Sequence, residues 1–278
     1  MFKSVLFGFL FLISDLAMSQ TGTDLINGRR AEPGEFPEAV YVSFGNSRCS
    51  GSVVGRRVLL SAAHCANTGS TGTFQIGQTQ YSSKCTRHPS YPGEDVDLLL
   101  CKIDKDVEDI KPASIGGPVE TGKSITIVGY GCIRPGGGGG NDGVLRVGDA
   151  EVTGFSNYDI VSEGAGLCFG DSGGPAYMKL TDAFSEKHIQ VSVNSKGNIR
   201  DTNYTTRTYI DISKNWMASW ARSNGVDICG VTSQCGDNPE PPPPTPPENC
   251  RELHTDYLAK KAAFDTALSD LLQCTMPE

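Results

Sequence analysis

Short apolar runs separated by Gly, Asn, Asp, Ser and Pro recur from about residue 25 to about residue 225, clearest at 39–44, 53–60, 98–103, 125–130 and 189–193. Runs of this length, with no long helical pattern between them, predict strands of an antiparallel sandwich or barrel. The period changes at 213–222, where Trp216 and Trp220 fall one turn apart on a common helical face. A helix there can close a β domain by laying its aromatic side on the sheet. Beyond Cys229 and Cys235, the stretch 239–247 is almost all proline and predicts an extended polyproline II spacer. The segment 251–273 then has neither Gly nor Pro. Tyr257, Phe264 and Leu271 recur along it every seven residues, supported by Leu253 and Leu268, which predicts an amphipathic helix in need of a partner surface. Cys250 and Cys274 bracket that helix. A straight helix would hold them about 36 Å apart, so a bond between the two requires a bent segment; otherwise each bonds elsewhere.

The first residues follow another pattern. Lys3 precedes an apolar run at 5–13, and the small residues Ala17 and Ser19 stand just before Gln20. The run is too short to cross a bilayer and reads as a secretory signal peptide over 1–19, in spite of Asp15 at its edge. No cysteine follows it, which argues against a lipid anchor, and no later stretch has the length of a membrane span. Export changes the meaning of the ten cysteines, which are expected in disulfides rather than in a metal site or as free thiols. None forms a CxxC pair and only four histidines are present, so a zinc site finds no support and no metal is expected. Lys and Arg number 24 against 32 Asp and Glu, for a formal net charge of -8. That balance argues against nucleic acid or an anionic membrane as the main partner. The 278 residues suffice for one large β domain with an appendage.

Acyl transfer needs a nucleophile, a base, a group that orients the base, and donors for an oxyanion. Three segments offer them. In Ser61-Ala62-Ala63-His64-Cys65, small residues let a histidine sit at a strand end. Asp97 leads directly into the apolar run Leu98-Leu99-Leu100. Gly170-Asp171-Ser172-Gly173-Gly174-Pro175 is a turn whose glycines permit the backbone geometry that an oxyanion hole requires. Taken singly, a buried histidine or a loop serine is more often structural. All three in the order His, Asp, Ser are specific.

With these motifs, and with Leu25-Ile26-Asn27-Gly28 followed by Ala31, Gly34 and Pro37, the chain resembles the trypsin/chymotrypsin family of serine proteases over about residues 25–225. The resemblance implies an all-β fold of two antiparallel six-stranded barrels, chymotrypsin-like, with the active site between them and a closing helix. It implies a secreted, extracellular endopeptidase acting on proteins or peptides, without metal or organic cofactor. His64 would be the base, Asp97 its support and Ser172 the nucleophile, with Gly170 and Ser172 N–H groups as the oxyanion hole. Asp95, two residues earlier, is the rival for the aspartate role. The domain order expected is signal peptide 1–19, propeptide 20–24, protease domain 25–236, linker 237–249 and helical tail 250–278. The tail would dock on the catalytic domain or serve as an oligomer or cell-surface contact. Another class of function stays open: a silent protease homologue that binds a partner.

Family members are made as zymogens, which here implies cleavage between Asp24 and Leu25 and pairing of the freed Leu25 amine with Asp171. Leu25 stands where the family usually has Ile or Val. Gly166 occupies the place where trypsin-type members carry an aspartate at the base of the primary pocket, so a Lys or Arg preference is not implied. Arg207, in Arg207-Thr208-Tyr209, would lie on the opposite pocket wall and could pair with an acidic side chain. Ser192 and Asn194 join Gly166 and Arg207 as substrate-binding candidates. An acidic preference would make self-activation after Asp24 credible; a preference for small or apolar residues is the alternative. The resemblance implies Cys49–Cys65. Cys85–Cys101 is expected across two strands, and Cys132–Cys168 as a substitute for a family bond whose usual partner near Lys196 is missing. Cys229–Cys235 and Cys250–Cys274 remain. His88, His188 and His254 have no ligand spacing and are expected on surfaces or loops, Asn203-Tyr204-Thr205 is a glycosylation sequon, and Gly136–Gly140 reads as an exposed flexible loop.

Overall fold

The computed structural model describes residues 25–179 and 188–235. Its strands are β1 (Arg29–Arg30), β2 (Ala39–Phe44), β3 (Ser47–Gly55), β4 (Val58–Ser61), β5 (Thr71–Ile76), β6 (Thr79–Arg87) and β7 (Leu99–Ile103). They continue as β8 (Ser114–Ile115), β9 (Ser124–Gly129), β10 (Arg146–Ser156), β11 (Asp159–Gly164), β12 (Pro175–Met178), β13 (Ile189–Gly197) and β14 (Thr202–Arg207), followed by the helix α1 (Asp211–Asn224). The order β2-β3-β4-β7-β6-β5 closes a first antiparallel barrel. A second runs β9-β10-β11-β14-β13-β12 and closes through the β12–β9 and β9–β10 pairs. Closure removes exposed strand edges, which suits many short strands.

The apolar run at 53–60 is two strands rather than one. Arg56 and Arg57 interrupt it as a hairpin turn between β3 and β4, and Gly55 pairs with Val58 across the turn. The arginines stay outside, Arg56 toward Asp106 and Glu108, while Val53, Val54, Leu59 and Leu60 are fully buried. Leu98, Leu99 and Leu100 fill the same interior. Truncating any one of these leucines would cost about 2–5 kcal/mol.

Helix α1 buries Met217, Trp220 and Ala221 and ends on Gly225, whose left-handed φ of 61° suits a glycine cap. Trp216 packs edge-on against His88, with ring centroids 4.8 Å apart. His88 and His188 lie in loops, as expected, but not at the surface: each is buried. His88 Nδ1 accepts the Ser90 N–H, and burial drives its pKa down. His188 Nδ1 lies 2.6 Å from Glu38 Oε1, and its ring packs against those of both Phe36 and Tyr177, which stack on each other. The sequon also needs correcting, because Asn203 is 0% exposed and closed to a glycan in the folded chain. Gly136–Gly140 is exposed in part but specifically folded, every residue holding a positive φ and Gly136 N–H donating to Ile199 O at 3.0 Å.

Three disulfides join Cys49 to Cys65, Cys85 to Cys101 and Cys132 to Cys168. Cys85 and Cys101 sit directly opposite on β6 and β7. Cys229 and Cys235 are also disulfide-bonded. The expected signal segment, propeptide, linker, tail helix and Cys250–Cys274 bond, with His254, lie outside the described residues. Among the described residues, no helix is long and apolar enough to cross a membrane.

Candidate active site

His64 sits on a 3₁₀ turn, Ala63–Cys65, immediately after β4. The fully buried Ala62 and Ala63 allow the turn to press on the barrel, and the Cys49 bond anchors its far end to β3. Asp97 precedes β7 and is 2% exposed, flanked by the fully buried Val96 and Leu98. Its Oδ1 accepts the His64 backbone N–H at 2.9 Å, and its Oδ2 lies 2.6 Å from His64 Nδ1. Ser195 of β13, in the other barrel, donates its hydroxyl to the same Oδ2 at 2.6 Å. Burial alone would raise the Asp97 pKa. The hydrogen bonds and charge of His64, with the Ser195 bond, outweigh burial and hold it below the usual carboxylate value. Asp95 instead pairs with Lys196 at the surface, 52% exposed, so the geometry assigns the buried contact to Asp97 alone.

Ser172 lies on the turn between β11 and β12, and Ser50 of the first barrel clamps that turn. Ser50 N–H donates to Ser172 O and Ser50 Oγ to Gly170 O, both at 2.8 Å. Gly173, at φ 83°, comes so close to Ala62 and Ser50 that a Cβ there would collide with Ser61 Oγ. Gly173 N–H donates to Asn194 O, and Asn194 Nδ2 donates to Val128 O and Asp171 O, so Asn194 supports the turn from within the second barrel. Ser192, equally buried, donates to Thr205 Oγ1. Neither Gly170 N–H nor Ser172 N–H donates to another group among the described residues.

Asp171 points the other way, into the second barrel. Its carboxylate accepts Gly131 N–H at 2.7 Å and Cys168 N–H at 2.9 Å. Burial pushes its pKa up to about 7 against those two donors and the charge of Arg146. Leu25 is fully buried beside Ala165 and Leu167, and Ile26 bridges to Gly166.

The Trypsin family model matches residues 25–230. This chain belongs to the trypsin family. A trypsin-like protease of Streptomyces glaucescens is 29% identical over 205 residues, 62% of this chain and 72% of that protein. Serine protease SP24D of Anopheles gambiae is 30% identical over 189 residues, 56% of this chain and 68% of that protein. Human heparin binding protein shares the fold at a TM-score of 0.56 and 21% identity, covering 69% of this chain and 94% of that one.

Within this trypsin-family frame, Arg207 is not where the sequence reading put it. Its Nε donates to Tyr158 O at 3.2 Å, its Nη2 to Asn157 O, and its guanidinium lies over the Phe155 ring. Two carbonyls at the β10–β11 turn and an exposed aromatic face satisfy the cation, so it turns away from Gly166. The offset arises because β13 and β14 join through a turn of only four residues, 198–201, which aligns Gly197 with Asn203. Asn203, which the sequence reading passed over as a sequon, is the side chain that reaches the Gly166 segment: its Oδ1 accepts Leu167 N–H at 2.7 Å. Arg207→Gly is therefore expected to leave the ratio of cleavage after Glu to cleavage after Ala within about twofold, measured as kcat/KM on matched peptides.

Proposed function

We propose that the chain is a secreted serine endopeptidase working through an acyl-enzyme. The supporting observation is the buried Asp97 carboxylate, held from both barrels by His64 and Ser195 beside the clamped Ser172 turn. Asp97 keeps the His64 ring with Nδ1–H turned toward it, which leaves Nε2 as the acceptor for the Ser172 hydroxyl proton. Ser172 Oγ then attacks the scissile carbonyl. The uncommitted N–H groups of Gly170 and Ser172 take the developing oxyanion, and each such donor lowers the barrier by about 3–4 kcal/mol. His64 next passes its proton to the leaving amine, and a water repeats the sequence on the acyl-enzyme.

Cleavage after Asp24 would free an amine at Leu25, the partner that zymogen activation would supply to the buried Asp171. With Arg207 turned outward, an acidic pocket loses its carrier, and so does self-cleavage after Asp24; another protease is the expected activator. The form beginning at Leu25 is expected to react with an active-site fluorophosphonate, giving one labelled site lost in Ser172→Ala. Absence of labelling in that form would instead favour a silent homologue acting by binding.

A further inference from the structure

The turn between β13 and β14 is built to stay in one shape. Asn198 Oδ1 accepts the N–H groups of Arg200, Asp201 and Thr202 at 2.9, 2.9 and 3.0 Å. Asn198 Nδ2 donates to Asp201 Oδ1 at 2.7 Å. One side chain thus satisfies three consecutive backbone donors, a strong local lock. Ile199, half-buried at φ 56°, packs on Ile26 and on the Cys132–Cys168 bond. Asp201 O accepts Gly164 N–H at 3.0 Å, which ties the turn to the strand end before Gly166.

The locked turn lies directly over Gly166. A Cβ at Gly166 would stand 2.6 Å from the Arg200 carbonyl carbon and 3.1 Å from the Asp201 nitrogen, and would collide with the Arg200 carbonyl oxygen. Asn203 fills the adjoining space: its Oδ1 accepts Leu167 N–H at 2.7 Å and its Nδ2 donates to Ala165 O at 2.8 Å. Its carboxamide therefore bridges the residues on either side of Gly166, and it is 0% exposed. Removing it would leave a buried donor and acceptor unpaired.

We propose that the Arg200–Asp201 peptide and the Asn203 carboxamide close the base of the primary pocket, so that the enzyme cleaves after small residues such as Gly, Ala or Ser, with Asn203 setting the depth. This rests on the endopeptidase reading. A long side chain before the scissile bond meets packed backbone and a satisfied amide instead of a cavity, and neither can yield without breaking hydrogen bonds. A small one leaves both in place.

The test uses the full chain through Glu278, cut to begin at Leu25, on peptides that differ only before the scissile bond. Cleavage after Ala is expected to exceed cleavage after Phe, Lys or Glu by at least about 100-fold in kcat/KM. Asn203→Ala should narrow the preference for Ala over Val by about tenfold, while Arg207→Gly leaves it unchanged. If Asn203→Ala does not fold, the peptide panel with the unaltered enzyme decides. Fluorophosphonate labelling together with cleavage after Phe, Lys or Glu at rates near those for Ala would overturn the closed pocket and keep the protease. Labelling with no cleavage after Ala would also overturn it. No labelling would remove the endopeptidase reading and the pocket with it.

Discussion

Ser172→Ala is expected to lower kcat/KM by about 10⁴–10⁶-fold, and Asp97→Asn by about 10⁴-fold. Neither should unfold the chain by the same route. Ser172 is held through its backbone carbonyl, which accepts Ser50 N–H, and alanine keeps that bond. Its hydroxyl is expected to matter only to the reaction. Asp97 is different, because one carboxylate oxygen serves both His64 Nδ1 and the Ser195 hydroxyl. Asparagine places an NH₂ donor in that environment and forces His64 to accept at Nδ1. Nε2 then carries the proton and cannot take one from Ser172. The measurement is kcat/KM on one peptide substrate, with urea midpoints for each variant. Activity of Ser172→Ala within tenfold of the parent would end the assignment of this residue as nucleophile.

Cutting between Asp24 and Leu25 is expected to raise activity by about 100–1,000-fold, and Asp171→Asn to remove that gain. The figure corresponds to a buried ion pair whose loss costs about 3–5 kcal/mol. In the uncut chain Asp171 is fully buried and held by two backbone N–H groups, with its pKa raised from 3.8 to about 7. The folded chain then keeps a proton that the unfolded chain releases. Stability is therefore full below about pH 4, falls as pH rises toward 7 and is level above, by a total on the order of 4 kcal/mol. A Leu25 ammonium beside the carboxylate lowers its pKa and reverses the sign, so in the cut chain this contribution is complete above about pH 4, is lost only as pH falls below that, and gives no decline between pH 5 and pH 8. Urea midpoints at pH 5 and pH 8 for both forms distinguish the two behaviours. Equal pH slopes would mean that the new terminus does not reach Asp171.

His64, Asp97 and Ser172 were legible as candidates because each stands in a short stretch whose neighbours serve the same end. Ala62 and Ala63 beside His64, the leucines after Asp97 and the glycines around Ser172 are local requirements, visible without knowing what lies across the barrel. Strand positions were legible for the same reason, apart from 53–60, where apolar content hid the turn at Arg56-Arg57. Ser195 was not legible, because nothing in its neighbourhood distinguishes it from any other strand serine until β13 brings its hydroxyl to Asp97. His88 and His188 stand in loops as expected, but their burial was not legible because isolated polar residues carry no pattern; aromatic rings from distant segments bury them.

Arg207 and Asn203 mark the boundary most clearly. Counting along the chain placed a guanidinium opposite Gly166, but the four-residue turn 198–201 shifts the register and places a carboxamide there instead. The chain alone carried the family resemblance, and through it the two-barrel architecture and the candidates His64, Asp97 and Ser172, since motif spacing is a property of consecutive residues. Tertiary structure alone decided which side chain closes the space over Gly166, and where the cation of Arg207 finds its carbonyls. A pocket is the gap left between segments far apart in sequence, and its depth depends on loop length and strand register, which no local pattern encodes.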